Sequence, residues 1–298
     1  MASASWIGKR RRLSRILNRT TGKTLIVPID DSLIFGPFGG LADVPSKLAD
    51  IISGSPDALL AYRGVFQNLP DLTETMGRII NLTASTTRSL HTRKVPTGQV
   101  SDAAAMDADA VAVHVNVSSS YEHEMITTLG RIIVDSESYG MPVLAIMYPR
   151  KEGQAGDYNY EDLRETQPNE YASLVAHCVR IAADLGADII KTQFTGTAAS
   201  FEKVVKACWP TPVVIAGGPV VTNDILMGNA YEAIQAGAAG ISFGRNVFDR
   251  DQSWRYVQAL RHIVHARGSI REGLEILEKA SRPDTEGRAK NERPSQER

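Results

Sequence analysis

The stretch ADIIKTQFTG, residues 187–196, sets Lys191 at the end of an apolar run whose Ile189 and Ile190 belong inside a buried strand. Lysine is almost never fully buried without a partner or a task. Two chemistries fit. Desolvation among apolar walls lowers a lysine's proton affinity. The neutral amine can then attack a ketone or aldehyde, and the resulting protonated imine draws electrons from the neighbouring carbon. Alternatively, the ammonium stays charged and pairs with Asp30 or with a phosphate. The strand context leaves both open.

Groups able to serve an imine end other strand-like runs. Asp30 closes VPID and Tyr148 closes LAIMY; a carboxylate and a phenol beside an imine can shuttle protons. Asp30 could instead cap a turn, since Ser32 and Gly36 follow, and Tyr148 could be a rim aromatic before Pro149. Asp31 should face away from Asp30 in an extended chain, so one of the two is expected in a site and not both. His114, in AVAVHVNVSS, reads as a polar residue of a barrel mouth rather than a metal ligand, because a metal needs several converging ligands. Asp31 and His114 stand as candidates for substrate contact, and no catalytic metal or cofactor is expected. His91, His123 and His177 have no evident strand-end placement, and His262 and His265 lie three apart on a late helix.

Two later runs end in AGGP (216–219) and FGRNVF (243–248). Glycines let backbone N–H groups approach an anion, a short helix opening at Asn246 would add its positive end, and Arg245 could add a paired contact. Gly217, Gly218, Gly244 and Arg245 are therefore expected to bind a phosphate, against the alternative of two ordinary turns and a surface arginine.

The elements that must position these residues read as strands and helices in alternation. Strand-like runs lie at 23–31, 56–62, 78–85, 108–117, 141–149, 187–194, 211–218 and 238–244. They are continuous apolar runs, as in parallel strands covered on both faces. Between two of them, NEYASLVAHCVRIAADLG (169–186) repeats apolar residues at helical spacing through Tyr171, Leu174, Val175, Cys178, Ile181, Ala182 and Leu185. Gly186 then stops the helix. Eight strands with helical connections predict a (β/α)8 barrel over 23–280, whose strand C-termini carry the site. A doubly wound open sheet is the alternative, but PIDDSLIFGPFGG lacks dinucleotide-binding glycine spacing. Residues 1–22 form a basic extension, GKRRRLSRILNR, read as an amphipathic helix with Leu13, Ile16 and Leu17 inward. Residues 281–298 are polar without periodicity and are expected to be disordered.

The 298 residues are 43% hydrophobic with a net charge of −1 and two cysteines, Cys178 and Cys208, outside any CxxC pair. A disulfide scaffold and a cysteine-rich zinc site are disfavoured, and a reducing, cytoplasmic setting fits. No apolar run is long enough to span a membrane, and the overall charge does not suggest nucleic acid. Membrane or nucleic-acid contact through the basic stretch is the lesser alternative to a packed helix.

The pieces VPIDDSL (27–33), AVHVNVSS (112–119), MPVLAIMYPR (141–150), GADIIKTQFTG (186–196), VVIAGGP (213–219) and GAAGISFGRNVF (237–248) together resemble the class I aldolases of the archaeal fructose-bisphosphate aldolase and DeoC/LacD type. The resemblance runs in order across most of residues 5–268. It implies that Lys191 forms the Schiff base, that Tyr148 and Asp30 transfer protons, and that Gly217, Gly218, Gly244 and Arg245 hold a phosphate. It also implies phosphorylated ketone and aldehyde substrates and a homo-oligomer. One departure stands out: the family's usual Asp-His-Gly after the first strand is Asp30-Asp31-Ser32 here, and an added carboxylate favours an acceptor bearing an amino group. This Asp-Asp-Ser is similar to a branch of actinomycete synthases that join dihydroxyacetone phosphate to aspartate semialdehyde, to which LTASTTR (82–88) and HTRKVPTG (91–98) are similar as well. Other branches, which include fructose-bisphosphate aldolases, 2-amino-3,7-dideoxy-heptulosonate synthases and a thiolase, are the enzymatic alternatives. A sugar-phosphate sensor that never forms an imine is the non-enzymatic one.

Overall fold

The computed structural model describes residues 4–154 and 156–279, so the tail assigned to 281–298 lies outside the described residues. Eight parallel strands close on themselves: β1 (Thr24–Pro28), β2 (Ala58–Ala61), β3 (Gly77–Asn81), β4 (Ala110–Val117), β5 (Val143–Pro149), β6 (Ile189–Gln193), β7 (Val213–Ala216) and β8 (Gly240–Ser242). Each strand pairs with its neighbours in sequence, and β8 returns to β1 through Thr24↔Gly240 and Ile26↔Ser242. The fold is the (β/α)8 barrel. The third run ends earlier than its sequence suggests. After Asn81 the chain leaves the barrel, and Thr83–Ala84 pairs antiparallel with Val95–Pro96, which carries the connection 85–94 at the C-terminal end of the barrel.

Strand periodicity sorts the side chains into two layers. Ile26, Leu60, Ile79, Ala112, Ile146 and Val214 meet inside the barrel, while Leu25, Val27, Val113, Ala145 and Ile190 pack outward under the helices. The helix Pro168–Leu185 shows how the outer layer is built. It buries Tyr171, Val175, Cys178 and Ala182 and ends at Gly186 with φ of 98°. Leu185, expected on the buried face, is 36% exposed, because the helix ends there and the chain turns into the next strand.

The N-terminal helix Ala4–Ile16 closes the opposite end of the barrel. Ile16 is fully buried within the inner apolar layer, and Leu13 and Leu17 pack beside it. Three of its five cations face the barrel's N-terminal rim: Lys9 pairs with Asp188 at 3.0 Å, Arg15 with Asp109 at 3.0 Å, and Arg12 donates to the Ala108 carbonyl at 3.2 Å. No described helix is long and apolar enough to cross a membrane.

Candidate active site

One step above the inner apolar layer, four of the strands carry a polar residue at the next inward position. Lys191 follows Ile189 by two residues, Tyr148 follows Ile146, His114 follows Ala112, and Asn81 follows Ile79. This alternation gathers the expected residues at one end of the barrel. A chamber of about 100 Å³ is lined by Asp30, Asp31, His114, Tyr148, Lys191 and Arg245, with Gly217, Gly218 and Gly244 completing its wall. It shares Tyr148, Arg150, His91 and Arg245 with a larger cavity of about 770 Å³.

Lys191 is 6% exposed, and its amine makes no hydrogen bond or ion pair with any described residue. Asp30 is engaged elsewhere. Its Oδ2 accepts a 2.9 Å hydrogen bond from Asn81 Nδ2, and Asn81 Oδ1 accepts in turn from the Thr83 amide at 3.0 Å and hydroxyl at 3.2 Å. The alternative that Lys191 serves as an ion-pair partner of Asp30 has no support in this geometry. Nor does the Asp30 side chain cap the short helix Asp31–Phe35, although the residue stands at its N-cap position.

Asp31 corrects the sequence reading. Asp30 has helical angles, φ −77° and ψ −7°, so the chain is no longer extended when it reaches Asp31, and both carboxylates line the chamber. Burial, with the charge of Asp30 added, pushes the Asp31 carboxyl up to about 6, while Arg245 and Lys191 oppose the rise. Arg245 Nε lies 3.4 Å from Asp31 Oδ2.

The turns after β7 and β8 form one unit. Gly218 has φ of +64°, a conformation that favours glycine. A Cβ at Gly244 would stand 2.9 Å from the Pro28 carbonyl, so only glycine lets this turn lie against β1. The short helix begins at Arg245, one residue before the sequence reading placed it. Asn246 is fully buried and ties the two turns together. Its Nδ2 donates to the Gly217 and Pro219 carbonyls at 3.0 and 2.8 Å, and its Oδ1 accepts from the Val221 amide at 3.0 Å.

Tyr148 and His114 meet edge to face, with ring centroids 4.9 Å apart. Burial, reinforced by Lys94 and Arg150, holds His114 well below the usual imidazole range and so neutral. Among the described residues, no group of three or more His, Cys, Asp or Glu side chains is placed to hold a metal ion. His262 and His265 are away from the chamber: His265 bonds Asp57 at 2.8 Å, and His262 lies 3.8 Å from Glu272. Tyr62, also at a strand end, donates to the Thr83 carbonyl and lines neither chamber.

Sequence reasoning passed over a cationic group on the rim. Lys94 is 4% exposed and lies 2.6 Å from Ser85 Oγ; burial, with Arg150 nearby, lowers its amine to about 7. His91 is held down to about 3 by burial, then by Lys94 and Arg150. Arg150 Nη1 can only donate, so His91 Nε2, 3.2 Å away, accepts, and the ring proton belongs on Nδ1, 3.0 Å from Ser85 Oγ. Arg150 Nε also donates to Asn159 Oδ1 at 2.6 Å. The signal was present in HTRK and in the arginine after Tyr148-Pro149, but 91–94 reads as an ordinary polar loop until the Thr83–Ala84 pairing folds it inward.

A family model described as DeoC/LacD family aldolase matches residues 24–250. The chain is 36% identical over 260 residues to the 2-amino-3,7-dideoxy-D-threo-hept-6-ulosonate synthase of Halobacterium salinarum, covering 87% of this chain and 92% of that protein. It is 29% identical over 272 residues to the 2-amino-4,5-dihydroxy-6-oxo-7-(phosphonooxy)heptanoate synthase of Streptomyces griseus, covering 90% and 94%. Among solved structures it is similar to an archaeal fructose-1,6-bisphosphate aldolase with the catalytic Lys covalently bound to the carbinolamine intermediate. There the TM-score is 0.75 and the identity 26%, over 86% of this chain and 99% of that one.

Proposed function

The chain belongs to the DeoC/LacD family of aldolases, and from that premise we propose that it joins dihydroxyacetone phosphate to aspartate semialdehyde through a Schiff base on Lys191. The observation that carries the reading is the Lys191 amine: buried, without a protein partner among the described residues, and lining the chamber with Asp30, Tyr148 and the β7–β8 turns.

In this reaction the donor phosphate rests on Gly217, Gly218, Gly244 and Arg245. Lys191 Nζ attacks the ketone and water leaves, giving an iminium ion that withdraws electrons from the hydroxymethyl carbon. Tyr148 or Asp30 takes a proton from that carbon. The enamine so formed attacks the aldehyde, the new alkoxide is protonated, and water frees the product from Lys191. Asn81 orients Asp30, while Asp31 and His114 contact the bound substrates.

The acceptor follows from product chemistry. Cutting 2-amino-4,5-dihydroxy-6-oxo-7-(phosphonooxy)heptanoate between C4 and C5, where an aldol joins, leaves dihydroxyacetone phosphate and aspartate semialdehyde. The same cut in 2-amino-3,7-dideoxy-hept-6-ulosonate leaves the same four-carbon amino aldehyde and a donor without the phosphate at C7. Both relatives thus support the acceptor, and the arginine-bearing β8 turn favours the phosphorylated donor. The 36% identity to the dideoxyheptulosonate synthase keeps its donor as the second reading.

Borohydride reduction in the presence of dihydroxyacetone phosphate, followed by peptide mass spectrometry, tests the reading. An adduct on Lys191 and product formation with aspartate semialdehyde are expected. Binding of the donor with no adduct on any lysine would replace the aldolase chemistry by a sensor's.

A further inference from the structure

Arg150 and Asp157 are the strongest feature of the barrel mouth that the steps above leave unused. Arg150 follows β5, and Asp157 comes from a hairpin pairing Lys151–Gly153 with Gly156–Tyr158. Glu152 fastens that hairpin to the barrel by accepting from Ser119 Oγ at 2.7 Å and from the Ser120 amide at 3.1 Å. These two bonds tie the first strand of the hairpin to the loop after β4.

The Arg150 guanidinium is largely buried, with 15% of its side chain exposed, and it lines both cavities. Its Nε and Nη1 have protein partners, Asn159 and His91. Its Nη2 has none among the described residues, which leaves two N–H donors at a buried cation. Asp157 Oδ2 lies 3.7 Å from Arg150 Nη1, too far for a hydrogen bond, and Asp157 and Glu161 line the outer cavity with it. A guanidinium with free donors beside a carboxylate fits a zwitterionic amino-acid head: the α-carboxylate takes Nη2, and the α-ammonium takes Asp157.

We propose that Arg150 and Asp157 form the subsite that binds the α-carboxylate and α-ammonium of the acceptor aldehyde and so select an amino-acid semialdehyde over a neutral one. The proposal rests on the aldolase reading above and deepens it. The acceptor's reactive carbon is three carbon–carbon bonds from its α-carboxylate carbon. Arg150 lines the Lys191 chamber as well as the outer cavity, so one molecule can present its aldehyde inward while its head group stays at the mouth. His91 is kept neutral and accepts from Nη1, so it orients the guanidinium without competing for the carboxylate. Arg245 and the β7–β8 turns remain for the donor phosphate.

The test compares acceptors with dihydroxyacetone phosphate as donor: aspartate semialdehyde, succinate semialdehyde, which lacks the amine, and propionaldehyde, which lacks both charges. In Arg150→Gln, kcat/KM for aspartate semialdehyde relative to propionaldehyde should fall about ten-fold or more. In Asp157→Asn, a change on the hairpin outside the barrel strands, the preference for aspartate semialdehyde over succinate semialdehyde should fall while that for succinate semialdehyde over propionaldehyde holds. Unchanged ratios in both variants, or equal losses on all three aldehydes, would overturn the subsite. If the wild-type protein traps the donor on Lys191 but makes no product from aspartate semialdehyde, the acceptor assignment itself falls, and the subsite with it.

Discussion

Arg245 Nε stands 3.4 Å from Asp31 Oδ2, so the guanidinium on the β8 turn faces a carboxylate that the first strand's turn brings into the same chamber. A phosphate dianion is a stronger partner for that guanidinium than a carboxylate pushed up to about 6. Arg245→Ala should therefore raise KM for dihydroxyacetone phosphate by about ten-fold or more, the loss of one charge-assisted hydrogen bond, with a smaller effect on kcat. Steady-state kinetics with the donor varied at saturating acceptor would show it, and an unchanged KM would remove Arg245 from the phosphate site.

The Asp31 carboxyl also links the chamber to stability. Its folded-state value, about 6, lies above the unfolded 3.8, so between these values the folded chain holds more protons than the unfolded one and stability declines as pH rises. The favourable contribution is complete below about 4 and gone above about 6. A carboxyl moved from 3.8 to about 6 corresponds to at most about 3 kcal/mol. Asp31→Asn, neutral at every pH, should raise Tm relative to wild type at pH 8 and leave it nearly unchanged at pH 4. Thermal unfolding followed by circular dichroism at the two pH values checks this; a Tm gain of the same size at both would refute the linkage.

Much of this chamber was legible in the sequence because a barrel strand that is apolar on both faces makes a polar inward residue conspicuous. Lys191, Tyr148 and His114 each stand two residues beyond an inner-layer apolar residue. Asp31 was misplaced because the alternation rule was carried past the end of β1, where the backbone turns helical. Lys94, His91 and Arg150 were passed over because they converge from a loop and a strand end far apart in sequence, joined only by the Thr83–Ala84 pairing and by hydrogen bonds. Asn81 lay within a run read as strand, and only the 2.9 Å contact with Asp30 gives it a role.

That contact carries its own expectation. Asn81→Ala removes the donor to a carboxylate that is 8% exposed. Loss of a hydrogen bond to a charged group costs about 1.5–3 kcal/mol. If Asp30 moves the proton, the misorientation should appear as a drop in kcat of about ten-fold, with KM for the donor little changed. A fall in stability alone, with kcat preserved, would leave Asp30 a structural carboxylate.

The closed end of the barrel can be tested independently of chemistry. Ile16 is fully buried in the inner layer although it comes from the N-terminal helix. Ile16→Ala should cost about 2–5 kcal/mol in unfolding free energy, the transfer term plus the cavity left behind. Urea denaturation would read it as a lower midpoint with an unchanged slope. A cost below about 0.5 kcal/mol, the range of ordinary surface substitutions, would mean that the helix does not seal the barrel.

Two buried lysines lie at the catalytic end, and the geometry separates them. Lys94, with its amine lowered to about 7, has the proton affinity expected of a Schiff-base former. Its Nζ, however, is 2.6 Å from Ser85 Oγ and lies within 3.4 Å of both His91 ring nitrogens, and it lines neither cavity. Lys191 has no such partners and lines the chamber with Asp30 and Tyr148. An amine held by neighbours and screened from substrate cannot reach a ketone, whatever its proton affinity. Lys191→Ala should abolish both borohydride trapping and turnover, whereas Lys94→Met should still trap dihydroxyacetone phosphate on Lys191, with altered kinetics because Lys94 packs beside His91. Peptide mapping of the reduced adduct decides the matter. A label on Lys94 in the wild-type protein, or one that persists in Lys191→Ala, would move the Schiff base to Lys94 and require Ser85 and His91 to release it first.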